Sequence, residues 1–222
     1  MNQELIVRRT AEYARKRMED EASGHDWWHA WRVWKTAVRI AKKEGADLFV
    51  VQLAALLHDI ADWKFNDGDV SIVEKDVRKL LEKLCVEEHV TSHVCEIIGN
   101  VSFRGAGVKA RMRTKEGMIV QDADRLDAIG AIGIARAFAY GGFKGKEIYN
   151  PNILPGKHKT FEEYKNAEST TINHFYEKLL LLKDLMNTET GKEIAEERHR
   201  FMENFLEEFF EEWEGRRYLQ QQ

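Results

Sequence analysis

Apolar residues recur at helical spacing in nearly every segment of this 222-residue chain. Between residues 27 and 41 they follow one another at intervals that place them on a single helix face. The members of this stripe are Trp27, Trp31, Trp34, Val38 and Ala41. Only two prolines occur in the whole chain, so few segments are forced out of a helix. The pattern predicts an all-α protein and argues against an all-β sandwich.

The same spacing divides the chain into a series of amphipathic helices. We predict helices over residues 3–19, 27–45, 47–59, 69–84, 87–101, 118–142, 167–187 and 190–213. Gly45 is expected to end the second helix, and Asp47 is expected to cap the third. The third segment, residues 47–59, has few polar residues on any face of the helix, which predicts that this helix is central and buried. Two basic, glycine-containing stretches, 102–117 and 143–160, break the periodicity and are predicted as loops.

Length, composition and charge limit the classes of protein to which this chain can belong. Hydrophobic residues make up 43% and charged residues 32% of the chain, which is typical of one soluble globular domain. The formal net charge of −4 lacks the basic excess that nucleic-acid binding usually demands. No apolar window is long enough for a membrane span, so we expect a cytoplasmic protein without a membrane partner. Cys85 and Cys95 lack CxxC spacing and are interpreted as reduced and buried.

The adjacent pair His58 and Asp59 ends the apolar third helix. Burying two polar side chains is costly unless a partner satisfies them, and a divalent metal ion is such a partner. The alternative interpretation is that the histidine complements the helix dipole and the aspartate turns the chain.

Three segments together resemble the HD-domain metal-dependent phosphohydrolase superfamily. They are GHDWWHAWRVW, LLHDIADWK and VQDADRLDAIGAIG. Longer runs, DADRLDAIGAIGIARAF and TTINHFYEKLLLLKDLMNT, are similar to its small YedJ/YpgQ group. The resemblance implies that one divalent metal is held by His29, His58, Asp59 and Asp124. It also implies a single compact HD domain over 1–222, with an orthogonal helical core and two C-terminal helices. The motif core would cover about 25–140 and the C-terminal helical part about 160–215.

Asp124 and Asp127 are three residues apart and share one face of a helix, so either carboxylate can reach a metal. The ADRL motif favours Asp124 as the ligand. Asp127 would then bind a ligand imidazole, although a buried salt bridge to Arg125 or Arg32 is an alternative.

Asp62 follows Asp59 at a spacing where related phosphohydrolases carry an acidic residue that orients or deprotonates the attacking water. Lys64 is placed to neutralise charge that develops on a phosphoryl oxygen. The alternatives are a hydrogen bond that ends the helix for Asp62 and an ordinary surface position for Lys64.

The remaining basic residues have less defined roles. His25 can line the mouth of the pocket or help to cap the second helix, and the cap is favoured. His89 and His93 are spaced i,i+4 and offer ligands for a second metal, although one metal is preferred. Candidate substrate-binding residues are Arg32, Arg104, Lys109, His174 and Lys178. The last two, again spaced i,i+4, are alternatively partners in an interhelical hydrogen bond.

These features predict a metal-dependent enzyme that hydrolyses a phosphoanhydride of (deoxy)nucleoside triphosphates. Imidazole and carboxylate ligands suit Mn, Fe, Zn, Ni or Co, with Mg favoured only where oxygen ligands dominate, and Mn is preferred. Alternatives are a nucleotide monophosphatase and a cyclic-nucleotide phosphodiesterase. Alternatives of another class are a di-iron HD oxygenase and a non-catalytic nucleotide-binding module. The expected partner is a small phosphorylated molecule, and the chain is expected to be a monomer or homodimer.

Overall fold

The computed structural model describes residues 2–18, 26–60, 70–101, 112–156 and 169–216. The α-helices in these ranges are α1 (Gln3–Arg17), α2 (Trp27–Glu44), α3 (Leu48–Leu57), α4 (Val70–Lys83), α5 (Glu88–Val101), α6 (Lys115–Asp127), α7 (Gly130–Phe143), α8 (Thr171–Glu177) and α9 (Glu189–Trp213). A 3-10 helix, Leu179–Leu185, lies between α8 and α9. The described ranges contain no strand, and the prediction of an all-α fold is confirmed. Among them, no helix is both long and apolar enough to cross a membrane.

Helix α3 is the centre of the core. Eight of its ten residues are buried, and it packs against α1, α2, α5 and α6. Asp47 caps its N-terminus by accepting hydrogen bonds from the backbone amides of Phe49 and Val50, as predicted. Gly45 ends α2 in the left-handed conformation, with a φ of 66°, which glycine adopts without steric cost. The short turn between these two caps lays α2 and α3 side by side.

Two predicted helices are broken in the structure. The segment 118–142 is divided between α6 and α7, because Gly130 has a φ of +76° and starts a new helix. The segment 167–187 is divided at Lys178, whose φ of −143° lies outside the helical region. Beyond it the chain continues as the 3-10 helix, in which Leu179 and Leu182 are buried at a spacing of three residues.

Two carboxylates from other helices accept hydrogen bonds from residues at the N-terminus of α9. Asp122 of α6 accepts four hydrogen bonds, each 2.8 Å long, from the backbone and side-chain groups of Asn187 and Thr188. Glu44 of α2 accepts hydrogen bonds from the backbone amide of Thr190 at 2.9 Å and from its hydroxyl at 2.6 Å. These bonds attach the last helix to the helices that surround the core.

The two cysteines differ in their surroundings. Both are free thiols, and Cys95 is buried in α5 as predicted. Cys85 is exposed, so its predicted burial is wrong. It occupies the turn between α4 and α5 with a φ of 56°, a conformation found in turns at helix ends rather than within a packed helix.

Candidate metal centre

Three helices bring together the four residues predicted to bind metal. His29 lies in the first turn of α2, His58 and Asp59 directly follow α3, and Asp124 lies in α6. The Nε2 atoms of the two histidines are 3.2 Å apart. Asp59 Oδ2 is 3.2 Å from Nε2 of His29 and 3.4 Å from Nε2 of His58. Asp124 Oδ1 is 3.4 Å and 3.8 Å from the same two nitrogens. Asp59 and Asp124 therefore each place a carboxylate oxygen close to the same pair of imidazole nitrogens.

The opposite nitrogen of each ring identifies the tautomer. Nδ1 of His58 is 2.9 Å from the backbone carbonyl of Ala55, which can only accept a hydrogen bond. Nδ1 of His29 is 2.7 Å from Asp127 Oδ2, and an ionised carboxylate is likewise only an acceptor. Each neutral imidazole must therefore carry its proton on Nδ1 and direct the lone pair of Nε2 into the cluster.

The cluster consequently contains two imidazole lone pairs and two carboxylates. Such an arrangement is repulsive unless a proton or a cation lies between the groups. Burial lowers the pKa of His29, but hydrogen bonds with Asp124, Asp127 and Asp59 outweigh burial, and the pKa lies well above its ordinary value. Burial raises the pKa of Asp124, but the hydrogen bond with His29 and the charges nearby lower it further than burial raises it. Both shifts reflect the attraction between a positively charged imidazole and the carboxylates around it.

A divalent cation fits this donor set. Ligands about 2.1 Å from a metal are about 3.0 Å apart at an octahedral angle and about 3.4 Å apart at a tetrahedral angle. The observed distances to His29 Nε2, from 3.2 to 3.4 Å, agree with this range. The ligand atoms of His29, His58 and Asp59 also all lie within 4.8 Å of one another. Asp124 adds a fourth ligand atom, an oxygen, on the more exposed side, since 31% of its side chain is accessible.

Asp127 lies behind His29, on the side away from the cluster. Its Oδ1 accepts a hydrogen bond from Nε of Arg32 at 2.7 Å, and its Oδ2 accepts one from Nη2 of the same residue at 2.9 Å. Nη1 of Arg136 donates to Oδ2 at 2.8 Å. Burial raises the pKa of Asp127, but the bonds to His29 and Arg32 more than offset burial, and the pKa is far below its ordinary value. Asp127 therefore combines both predicted alternatives, the imidazole contact and the salt bridge to Arg32.

The contacts of Arg125 and Arg136 differ from those expected from the sequence. Arg125 does not form the alternative salt bridge with Asp127, because it donates to the backbone carbonyl of Leu185. Arg136 was not among the predicted site residues. It lies nine positions beyond Asp127, and only the turn between α6 and α7 brings it back to that carboxylate.

Other predicted residues lie apart from this cluster. His89 is exposed and lies 3.3 Å from Glu87, whereas His93 lies 3.0 Å from the hydroxyl of Thr114. The two histidines thus have different neighbours, and the described residues show no second metal cluster built on them. Burial lowers the pKa of His174 to about 3, and Lys178 and Lys146 contribute to the shift. His174 is therefore neutral in a basic neighbourhood at physiological pH.

Some predictions concern residues outside the described ranges. They are His25, Asp62, Lys64, Arg104 and Lys109. The cap of α2 is described, and it is Asp26, which accepts a hydrogen bond from the backbone amide of His29 at 2.8 Å.

A groove of about 610 Å³ lies between α1, α2 and α3. Its lining includes Val7, Trp27 and Phe49 but none of the four clustered residues. This groove is therefore separate from the candidate metal centre.

Comparison with known proteins agrees with the geometry. Residues 27–129 match the sequence profile of the HD domain family. YpgQ of Bacillus subtilis (strain 168) is 45% identical over 190 residues, which cover 85% of this chain and 84% of YpgQ. An HD-superfamily hydrolase from Bacillus thuringiensis has a TM-score of 0.77 and 44% identity, covering 96% of this chain and 99% of its own. Bacillus subtilis YpgQ in complex with ADP has a TM-score of 0.73 and 38% identity, covering 93% and 97%.

The helical fold and its histidine and aspartate cluster are those of an HD-domain hydrolase. The chain belongs to the HD-domain family, and the predicted resemblance is confirmed. It is an enzyme of the metal-dependent phosphohydrolase class.

Proposed function

We propose that this enzyme hydrolyses a phosphoanhydride bond of (deoxy)nucleoside triphosphates with one divalent cation, preferably Mn²⁺. The proposed ligands are His29, His58, Asp59 and Asp124. The observation that carries the metal assignment is the approach of the two Nε2 atoms to each other at 3.2 Å, with an oxygen of Asp59 and one of Asp124 within 3.4 Å of His29 Nε2. The crystal structure of YpgQ in complex with ADP supports a nucleotide as the substrate.

The residues of the chain would act mainly by binding and orientation. A bound divalent cation supplies Lewis acidity toward a phosphoryl oxygen and lowers the pKa of water. Asp127 holds the His29 proton on Nδ1, so the ring presents its lone pair to the cation. The Ala55 carbonyl has the same effect on His58.

Asp62 is proposed to orient or deprotonate the attacking water, and Lys64 to neutralise charge on a phosphoryl oxygen. If so, Asp62→Asn keeps the metal ion and lowers kcat by about 10²–10⁴-fold, as loss of a positioned acid–base group typically does. Metal content by elemental analysis and single-turnover rates test the two properties separately. A rate within a few-fold of wild type would remove Asp62 from the mechanism and leave the phosphohydrolase assignment intact.

The phosphates are proposed to contact cationic and polar residues around the centre. The candidates are Arg32, Arg104, Lys109, His174 and Lys178. Arg32 lies next to the centre, because its Nε and Nη2 hold Asp127, and 28% of its side chain is accessible. His174, neutral at physiological pH, would contribute a hydrogen bond rather than a charge.

The bond that is cleaved can be identified from the products. Protein stripped with a chelator and reloaded with Mn²⁺ would be incubated with nucleoside mono-, di- and triphosphates and with cyclic nucleotides. Phosphate and pyrophosphate would be measured separately. Release of pyrophosphate from triphosphates supports the proposal. Exclusive turnover of monophosphates or cyclic nucleotides would contradict it and favour the alternative activities.

Asp59→Ala is the matched control for this assay, because it removes one proposed ligand and leaves both histidines in place. We expect it to lose activity with every substrate. Nucleotide binding without turnover by the wild-type protein in all metals would identify a binding module instead, and oxygen consumption by an iron-loaded form would identify an oxygenase.

The proposed setting is the cytoplasm, with a small phosphorylated substrate and without a nucleic-acid or membrane partner. The net charge of −4 supports the exclusion of nucleic acid. A monomer or homodimer is proposed, which sedimentation analysis can distinguish.

A further inference from the structure

Arg136 contacts the histidine end of the candidate metal centre from a separate helix. Its Nη1 atom is 2.8 Å from Asp127 Oδ2, 3.3 Å from the backbone carbonyl oxygen of Asp127 and 3.4 Å from Nδ1 of His29. Only 29% of its side chain is accessible, so the bond to the carboxylate is partly shielded from water. Arg136 thus touches the residue that orients a proposed metal ligand.

The turn between α6 and α7 creates this contact. Helix α6 ends at Asp127, and Gly130 begins α7 with a φ of +76°. A Cβ atom on Gly133 would overlap the backbone carbonyl of Ala128, so α7 passes closer to the end of α6 than any larger residue permits. This reversal of chain direction places Arg136 next to the carboxylate of Asp127, the last residue of α6.

Arg32 and Arg136 hold the same carboxylate from different directions. Arg32 belongs to α2 and binds both oxygens of Asp127, whereas Arg136 belongs to α7 and binds Oδ2. Oδ2 is also the atom that lies 2.7 Å from Nδ1 of His29. Two guanidinium groups on two helices restrict rotation of the carboxylate more than one group does.

We propose that Arg136 is a positioning residue for His29. By fixing Asp127 Oδ2 in line with the Nδ1–H group, it keeps the Nε2 lone pair of His29 directed at the bound cation. This role rests on the proposed metal centre, and it makes α7 part of the support of that centre. The positive charge of Arg136 also repels a nearby cation, and this repulsion weakens metal binding. Weaker Mn²⁺ binding after removal of Arg136 therefore indicates positioning, whereas tighter binding indicates that charge repulsion dominates.

The test compares Mn²⁺ affinity in the wild type, Arg136→Met and Arg136→Lys. Positioning predicts that Arg136→Met binds Mn²⁺ about 10–100-fold more weakly, as loss of an orienting partner typically does, and that Arg136→Lys recovers part of this loss. Unchanged or tighter binding by Arg136→Met would overturn the proposal. Absence of metal binding in the wild type would instead contradict the proposed function itself.

A second readout follows the His29 ring directly. In Zn²⁺-loaded protein, NMR of labelled histidine should show a slowly exchanging Nδ1–H signal for His29, and Arg136→Met should accelerate its exchange. An exchange rate equal to that of the wild type would contradict positioning. This measurement remains informative for Arg136→Lys if the methionine variant does not fold.

Arg198→Met is the matched control for general loosening of the turn. Arg198 donates to the backbone carbonyl of Leu126 at the same end of α6, but it does not hold the Asp127 carboxylate through a hydrogen bond. We expect this variant to lower thermal stability and to keep Mn²⁺ affinity within about three-fold of wild type, since the orienting bonds remain. Equal weakening by Arg198→Met and Arg136→Met would assign the effect to helix packing and overturn the proposal.

Discussion

Helix α6 carries two aspartates, Asp122 and Asp124, that lie two residues apart and have opposite surroundings. Asp122 is fully buried and accepts four hydrogen bonds from the N-terminus of α9. Asp124 faces two imidazole nitrogens whose neutral forms offer lone pairs. Asp122 is therefore surrounded by donors, whereas Asp124 faces nitrogens that are acceptors whenever the imidazoles are neutral.

This difference distinguishes the structural carboxylate, Asp122, from the proposed metal ligand, Asp124. A buried carboxylate with a full set of donors already has its charge compensated and gains nothing from a cation. A carboxylate that converges with other acceptors leaves a local excess of negative potential, which a cation removes. The donors around Asp122 and the imidazole nitrogens around Asp124 therefore support a structural role for the first and the proposed ligand role for the second.

The largest expected effect is that of Asp124→Ala on metal binding. Removal of a proposed ligand should abolish tight Mn²⁺ binding, a loss greater than the roughly 10–100-fold caused by removing an orienting partner. The folded state should persist, because the four bonds of Asp122 remain. Metal titration and far-UV circular dichroism of the same sample measure both properties. Retention of wild-type affinity would show that Asp124 is not a ligand.

Asp122→Ala should lower the stability of the fold and leave metal binding unchanged. It leaves the amides of Asn187 and Thr188 without their acceptor at a buried site, and we expect a loss of about 3–5 kcal/mol in the free energy of unfolding. Urea denaturation of metal-free protein measures this loss. At a temperature where the variant is still folded, its Mn²⁺ affinity should match that of wild type. A loss of Mn²⁺ affinity without a loss in the free energy of unfolding would contradict the distinction between the two aspartates.

Asp127→Asn should have an intermediate effect. The amide can keep a hydrogen bond to His29 but loses the negative charge that two arginines and the imidazole share. Mn²⁺ affinity should therefore fall by roughly 10–100-fold, less than in Asp124→Ala. Isothermal titration of both variants gives the ranking directly. The reverse order would make Asp127 the ligand.

The smallest expected effect concerns a partly buried base, His174. Its pKa is lowered to about 3, whereas an unfolded histidine titrates near 6.5. Between these values the unfolded chain binds a proton that the folded chain does not, so stability decreases as pH falls below about 6.5. His174→Gln removes this contribution, which amounts to at most about 2 kcal/mol between pH 7 and pH 5. Urea denaturation at the two pH values should show a smaller pH dependence for the variant, and an identical dependence would contradict the buried neutral state.

Periodicity in the sequence predicted helices α2, α3, α5 and α9 well, because each has a long apolar face or is apolar throughout. It failed where backbone conformation rather than side-chain pattern ends a helix. The positive φ of Gly130 and the non-helical φ of Lys178 leave the hydrophobic spacing intact, so neither break was visible in the sequence.

The site residues were recognised from motifs, not from periodicity. His29, His58, Asp59 and Asp124 belong to short segments that resemble a known family, and the structure brings them together. Arg136 was missed because its contact depends on the turn between α6 and α7. The role of Asp122 was missed because its donors come from Asn187 and Thr188, more than sixty residues later. Contacts that arise only from tertiary packing leave no local signal.

The enclosure of α3 by four other helices also affects the dynamics of the enzyme. Its amide hydrogens can exchange with solvent only when surrounding helices separate, so α3 should be among the last segments to exchange. His58 and Asp59 directly follow this helix. Two of the proposed ligands are therefore attached to a helix that is protected from fraying, and the site should remain preorganised during local openings elsewhere in the fold.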